Sequence, residues 1–116
     1  MEFTVREEGT IAVVTMKGRL DMNSGNALKE QIKSLHSRQI TSVHLNLANV
    51  EFINSSGLGS LVSIMKETRV RKGRLTLSNL ATYVQEIFEI TQLSHIFELF
   101  PTENDALASF QSMVAH

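Results

Sequence analysis

Between Val43 and Met65 the hydrophobic period changes from two residues to about 3.6 across one short turn, and no other feature constrains the fold as tightly. Val43, Leu45 and Leu47 alternate with His44 and Asn46, the pattern of a strand with one face more deeply buried than the other. Beyond Asn54-Ser55-Ser56-Gly57, residues Leu58, Leu61, Val62 and Met65 fall at i, i+3, i+4 and i+7, the stripe of a helix docked on a sheet from about Ser56 onward. A strand that runs straight into a sheet-packed helix belongs to a crossover unit, which places the chain in the α/β class.

The flanking segments extend the same arrangement. Phe3–Val5 and Ile11–Met16 are apolar or β-branched runs separated by Glu7, Glu8 and Gly9, and they predict an opening hairpin. Leu28, Ile32 and Leu35 recur at helical spacing, with Asn23 or Ser24 available as a cap and the polar run His36–Gln39 as the end. Gly73 is a plausible stop for the second helix, and Leu75 and Leu77 repeat the strand alternation. Leu80, Val84 and Ile87 predict a third helix, and Ile96–Phe100 a last short strand. Pro101, Thr102 and Asp105 read as a capping-box entry to a final helix with Ala106, Leu107, Phe110 and Val114 on its apolar side. The expectation is one domain over residues 1–116: an N-terminal β-hairpin, then alternating helices and strands in a mixed, mostly parallel sheet with helices mainly on one face.

Composition removes several functional classes. A chain of 116 residues with a net charge of −1 lacks the basic surface that nucleic acid or an anionic membrane requires. Its one basic cluster, Lys66, Arg69, Arg71, Lys72 and Arg74, reads as a solvated helix end, where cations suit the macrodipole. The absence of cysteine rules out disulfides, thiolate metal sites and cysteine nucleophiles, and is compatible with a reducing cytoplasm. No basic flank precedes an apolar run near Met1, and no stretch reaches the ~20 apolar residues of a membrane span, so neither a secretory signal nor membrane insertion is expected.

Catalytic and cofactor motifs are equally sparse. His36, His44, His95 and His116 show no metal-ligand spacing, so no metal is expected. Gly57 and Gly59 lack the third glycine of a dinucleotide loop, there is no P-loop, and Ser55 lacks the glycine two residues before it that a hydrolase elbow needs. Glu86, Glu89, Glu103 and Asp105 sit on helical segments where solvation or capping accounts for them. No catalytic residue and no cofactor is expected.

The two serines at the strand-to-helix turn carry the chemistry that remains. The first N–H groups of a helix point outward with partial positive charge, so a serine there can cap them or carry a phosphate without strain. Ser56 is the better placed helix cap of the two, and the residues by themselves leave both serines open to a purely structural role. The turns after Leu20 and after Ile53 both leave the carboxyl ends of neighbouring strands, the edge where α/β sheets place binding sites. Asp21, Met22 and Asn23 are therefore expected to share a surface with Asn54, Ser55, Ser56, Gly57 and Leu58, although Asp21 serves equally well as a turn or cap residue.

Taken in order, Gly18-Arg19-Leu20-Asp21, the strand Val43–Leu47, and Phe52–Leu61 with its Ser-Ser-Gly-Leu-Gly run make the chain resemble the STAS family, within it the single-domain anti-sigma factor antagonists of bacterial partner switching. Gly73, Leu75–Leu77, the helix with Val84 and Phe88, and Glu103–Ala108 continue the resemblance over nearly the whole chain. It implies the STAS (SpoIIAA-like) fold and a cytoplasmic binding protein rather than an enzyme. It also implies phosphorylation of Ser55 by an anti-sigma factor that is a serine kinase of the histidine-kinase-like ATPase class, reversed by a PP2C-type phosphatase. The family's usual Asp before the serine is Asn54 here, which keeps the turn preference and removes a negative charge beside the hydroxyl. That change leaves open a constitutive STAS scaffold or transporter-associated subunit with no phosphate cycle.

Overall fold

The computed structural model describes residues 1–114, with side chains as far as Gln111. Five strands, β1 (Glu2–Glu8), β2 (Ile11–Leu20), β3 (Ser42–Ile53), β4 (Arg74–Ser78) and β5 (Glu98–Phe100), lie in the order of the sequence in one sheet. β1 pairs antiparallel with β2 through the Gly9 turn, and every later pairing is parallel. Helices α1 (Met22–Ser37), α2 (Ser55–Val70), α3 (Thr82–Ile90) and α4 (Glu103–Val114) make the connections or close the chain. This is the expected hairpin followed by crossover units.

The main core lies on one face of the sheet. Ala12, Val14, Met16, Val43, Leu45, Leu47, Leu75 and Leu77 pack there against Leu28, Ile32 and Leu35 of α1, Leu61, Ile64 and Met65 of α2, and Val84 and Phe88 of α3. The i, i+3, i+4 stripes of these helices supply the apolar side, as their spacing requires. α4 covers the other face, where Phe110 and Leu107 meet Ile11 and Val13. The side chain of Val114 and all of His116 lie outside the described residues.

That arrangement keeps the helices mainly on one face, as expected, and the second face of β3 and β4 is covered too. His44, Thr76 and Ser78 of the β3 and β4 alternation are fully buried, whereas Asn46 is half-buried and donates to Glu103 at 3.0 Å. The two ring nitrogens of His44 lie 2.7 Å from Thr76 Oγ1 and 2.7 Å from Ser78 Oγ. A neutral imidazole has one donor and one acceptor, so two hydroxyls satisfy it and the polar layer can be covered without an orphaned group.

Four local readings change. α1 is capped by Asp21, not by Asn23 or Ser24: the Asp21 carboxylate accepts from the Ser24 N–H, and the Ser24 hydroxyl accepts from the Asp21 N–H, a reciprocal box. Ile96 and Phe97 are not strand; a 3₁₀ turn over Leu93–His95 precedes them, and only Glu98–Phe100 pairs with β4. Arg74 is not part of a solvated helix end, because it opens β4, holds Glu98 through two bonds of 2.8 and 2.7 Å, and stacks 4.5 Å from the Phe110 ring centre. The fourth change, at Ser56, belongs to the site.

Candidate functional site

β2 and β3 run parallel with Leu20 opposite Ile53, so the turns that follow them lie side by side at the carboxyl edge of the sheet. The Asn54 N–H donates to the Leu20 carbonyl at 3.2 Å, which ties the two turns together. Each turn feeds a helix, and the amino ends of α1 and α2 stand next to one another with their caps, Asp21 and Asn54, at the rim.

Asn54 caps α2 by accepting the Gly57 N–H at 2.9 Å. Ser56 therefore does not cap the helix. Asn54 is the last extended residue (φ −109°, ψ −179°), the only one of the three whose side chain can turn back onto the first turn. Ser55 and Ser56 are the first two residues of α2, both are exposed, and neither hydroxyl forms a hydrogen bond among the described residues. Gly57 is buried directly against Leu20; a Cβ there would overlap the Leu20 carbonyl, so this residue sets the spacing of the turns rather than offering surface.

The neighbouring residues divide by exposure. Met22 is 61% exposed, an unusual position for a large apolar side chain, and Asn23 is exposed beside it. Leu58 is half-buried and packs its inner side against the main core. Hydrogen bonds from the Ser24 backbone and hydroxyl hold the Asp21 carboxyl below its ordinary range, so this edge carries a fixed negative charge at neutral pH.

Two residues that sequence reasoning did not single out complete the rim. The Tyr83 hydroxyl, from the first turn of α3, accepts the Ile53 N–H at 2.8 Å and so satisfies β3 where β4 no longer pairs with it. Arg19 lies 3.9 Å from the centre of the Phe52 ring, a cation–π contact between the ends of β2 and β3. Neither contact leaves a periodic or spacing signal. Among the described residues no group of three or more His, Asp or Glu side chains comes together as a metal site, and no helix is long and apolar enough to cross a membrane.

The model of the STAS domain matches residues 2–106. The chain belongs to the STAS family. This STAS domain is 30% identical over 86 residues to the anti-sigma-B factor antagonist of Bacillus subtilis strain 168, covering 74% of this chain and 78% of that protein. An anti-sigma factor antagonist from Mycobacterium paratuberculosis superposes with a TM-score of 0.82 at 25% identity, over 93% of this chain and 92% of the other. The Bacillus cell fate determinant SpoIIAA in its phosphorylated form superposes with a TM-score of 0.73 at 22% identity, over 94% and 99% of the two chains. The five-stranded mixed sheet and its four helices are those of this fold.

Proposed function

We propose that this STAS domain is an anti-sigma factor antagonist whose grip on its partner is switched by phosphorylation of Ser55. The observation that carries the reading is an exposed, uncommitted hydroxyl in the first turn of α2, beside the exposed Met22 and the ionised Asp21 of α1. A relative named as an anti-sigma-B factor antagonist, and a phosphorylated SpoIIAA of the same fold, support it. The surface is assigned to Asp21, Met22, Asn23, Asn54, Ser55, Ser56 and the outer side of Leu58, with Gly57 as its spacer.

The partner is an anti-sigma factor that is also a serine kinase of the histidine-kinase-like ATPase class. It transfers the γ-phosphoryl of ATP to Ser55 Oγ, the hydroxyl proton leaves, and ADP is released. A PP2C-type phosphatase hydrolyses the ester and restores the binding form. The domain supplies the acceptor and the docking surface, does no catalysis itself, and works in the cytoplasm.

Phosphorylation adds roughly −1.5 to −2 charges at pH 7. At the amino end of α2 the outward N–H groups and the helix dipole accommodate that charge, so the fold persists. A closely packed partner surface gains no such compensation, and a loss of about 3 kcal/mol weakens a complex more than a hundredfold.

Calorimetry with the cognate anti-sigma factor tests the switch: wild type and Ser55→Ala bind alike, and Ser55→Asp binds at least tenfold more weakly. Equal affinity for all three rejects it. Mass spectrometry after incubation with the kinase and ATP places the phosphate on Ser55 rather than Ser56; stable copurification with a membrane ATPase and no phosphate on either serine points instead to the scaffold role.

A further inference from the structure

α1 and α2 touch near their amino ends, where Gly25 lies so close to Ser60 that a Cβ would overlap the serine hydroxyl. Further along, between the later turns of the same helices, a groove of about 310 Å³ opens between Lys29, Ile32, Lys33 and His36 on one side and Ser63, Ile64, Glu67 and Arg71 on the other. Its polar and apolar components are segregated. Ile32 and Ile64 are almost fully buried and form the apolar floor, while Lys29, Lys33 and Arg71 supply three cations against the single carboxylate of Glu67. Glu67 is already paired with Arg71 at 3.1 Å, and neither Lys29 nor Lys33 has an ion-pair partner among the described residues.

An independent feature lies in the wall. His36 is buried, its Nε2 is 3.4 Å from the Thr68 hydroxyl, and its Nδ1 has no hydrogen-bond partner. The Thr68 proton is committed to the Ile64 carbonyl at 2.8 Å, so the protein itself leaves the second nitrogen of this ring unsatisfied. A buried polar atom without a partner costs stability and is found where a ligand or water completes the bonding.

We propose that this groove binds a small amphipathic anion, an alkyl chain laid over Ile32 and Ile64 with a carboxylate or phosphate head held by Lys29 and Lys33. The volume sits at the lower end of the range for small-molecule sites, which suits a chain of about eight to ten carbons. With the head group near Nδ1 the imidazolium is favoured, because Nε2–H still donates to the Thr68 oxygen while the added proton on Nδ1 donates to the anion. The bound molecule bridges the two helices whose amino ends carry Asp21 and Ser55, but the proposal does not depend on the phosphorylation of Ser55.

Titration of the domain with decanoate, below its aggregation threshold and followed by NMR, tests the site. Saturable shifts are expected at the Ile32 and Ile64 methyl groups, together with a change in the His36 ring nitrogen resonances that reports protonation of Nδ1. The neutral analogue decanol and the double variant Lys29→Glu/Lys33→Glu should each show at least tenfold weaker binding, and Ser63→Trp, at an exposed position on the groove edge, should block it. Decyl phosphate in a parallel titration distinguishes the head groups: whichever ligand binds tighter names the class. Shifts that stay linear, that centre on the exposed Val70 and Ile90 instead, or that survive the charge reversal unchanged overturn the proposal.

Discussion

Gly57 of α2 rests against the carbonyl of Leu20 at the end of β2, with no room between them for even a methyl group. Because that carbonyl also accepts the Asn54 N–H, one contact fixes how far the turn that bears Ser55 stands from the turn that bears Asp21 and Met22. Gly57→Ala is therefore predicted to cost about 2 kcal/mol or more through overpacking. Urea denaturation measures the loss, and amide shifts spreading from Asn54 into Leu20–Asn23 would show that the two turns have moved apart.

Asn54 is the amino cap of α2, so Asn54→Ala should destabilise the domain by about 1 kcal/mol. Asn54→Asp keeps the acceptor and adds a negative charge at the positive end of the helix, for a gain of about 0.3–1 kcal/mol at pH 7 and low salt. Thermal melts of the three proteins at two ionic strengths check both statements, since the charge effect shrinks with screening and the lost hydrogen bond does not.

His44 makes the domain sensitive to acid. Burial is the main reason its pKa falls from 6.5 to about 4; Glu103 pulls it up and Arg6 pushes it down to lesser extents. The unfolded chain binds this proton more tightly than the folded one, so stability is intact above pH 6.5 and declines as pH falls toward 4, a total approaching about 3 kcal/mol. Urea midpoints between pH 7 and 5, where carboxylates stay ionised, should fall steadily for the wild type and less steeply for His44→Gln, whose remaining slope comes from His36, a second histidine whose pKa burial lowers. Parallel slopes for the two proteins would reject the assignment.

α1 ends in a left-handed residue that is not glycine. Gln39 adopts φ 66°, and the bonds from Gln39 N–H to His36 O and from Ile40 N–H to Leu35 O close the helix around it. The left-handed conformation costs a residue with a Cβ about 1–2 kcal/mol, partly offset by the greater unfolded-state freedom of glycine. Gln39→Gly, at an exposed position, is expected to stabilise the domain by about 0.5–1 kcal/mol in a denaturant titration, and Lys72, with φ 58° at the matching position after α2, should respond the same way.

Much of the architecture was legible because it is encoded by local periodicity. Leu28, Ile32 and Leu35 could face only one way on a helix, and Val43, Leu45 and Leu47 only one way on a strand, so the main core followed once elements were placed. Caps were harder to read. Asn54, Ser55 and Ser56 are all good amino caps, as are Asp21, Asn23 and Ser24, and the choice within each trio falls to whichever residue is the last extended one before the helix. The alternation in β3 and β4 was visible too, but a polar residue between apolar ones looks the same whether solvent or another helix lies above it.

By itself the sequence determined the order of elements, the apolar face of each and the serine-bearing turn at the mouth of α2, since these depend on neighbours a few residues apart. Tertiary structure alone decided that α4 would seal His44 between Thr76 and Ser78, that Tyr83 would satisfy Ile53, and that α1 and α2 would close at Gly25 and part around His36. Those outcomes depend on how surfaces from distant segments fit together, a property of volumes and distances that no pattern along one segment contains.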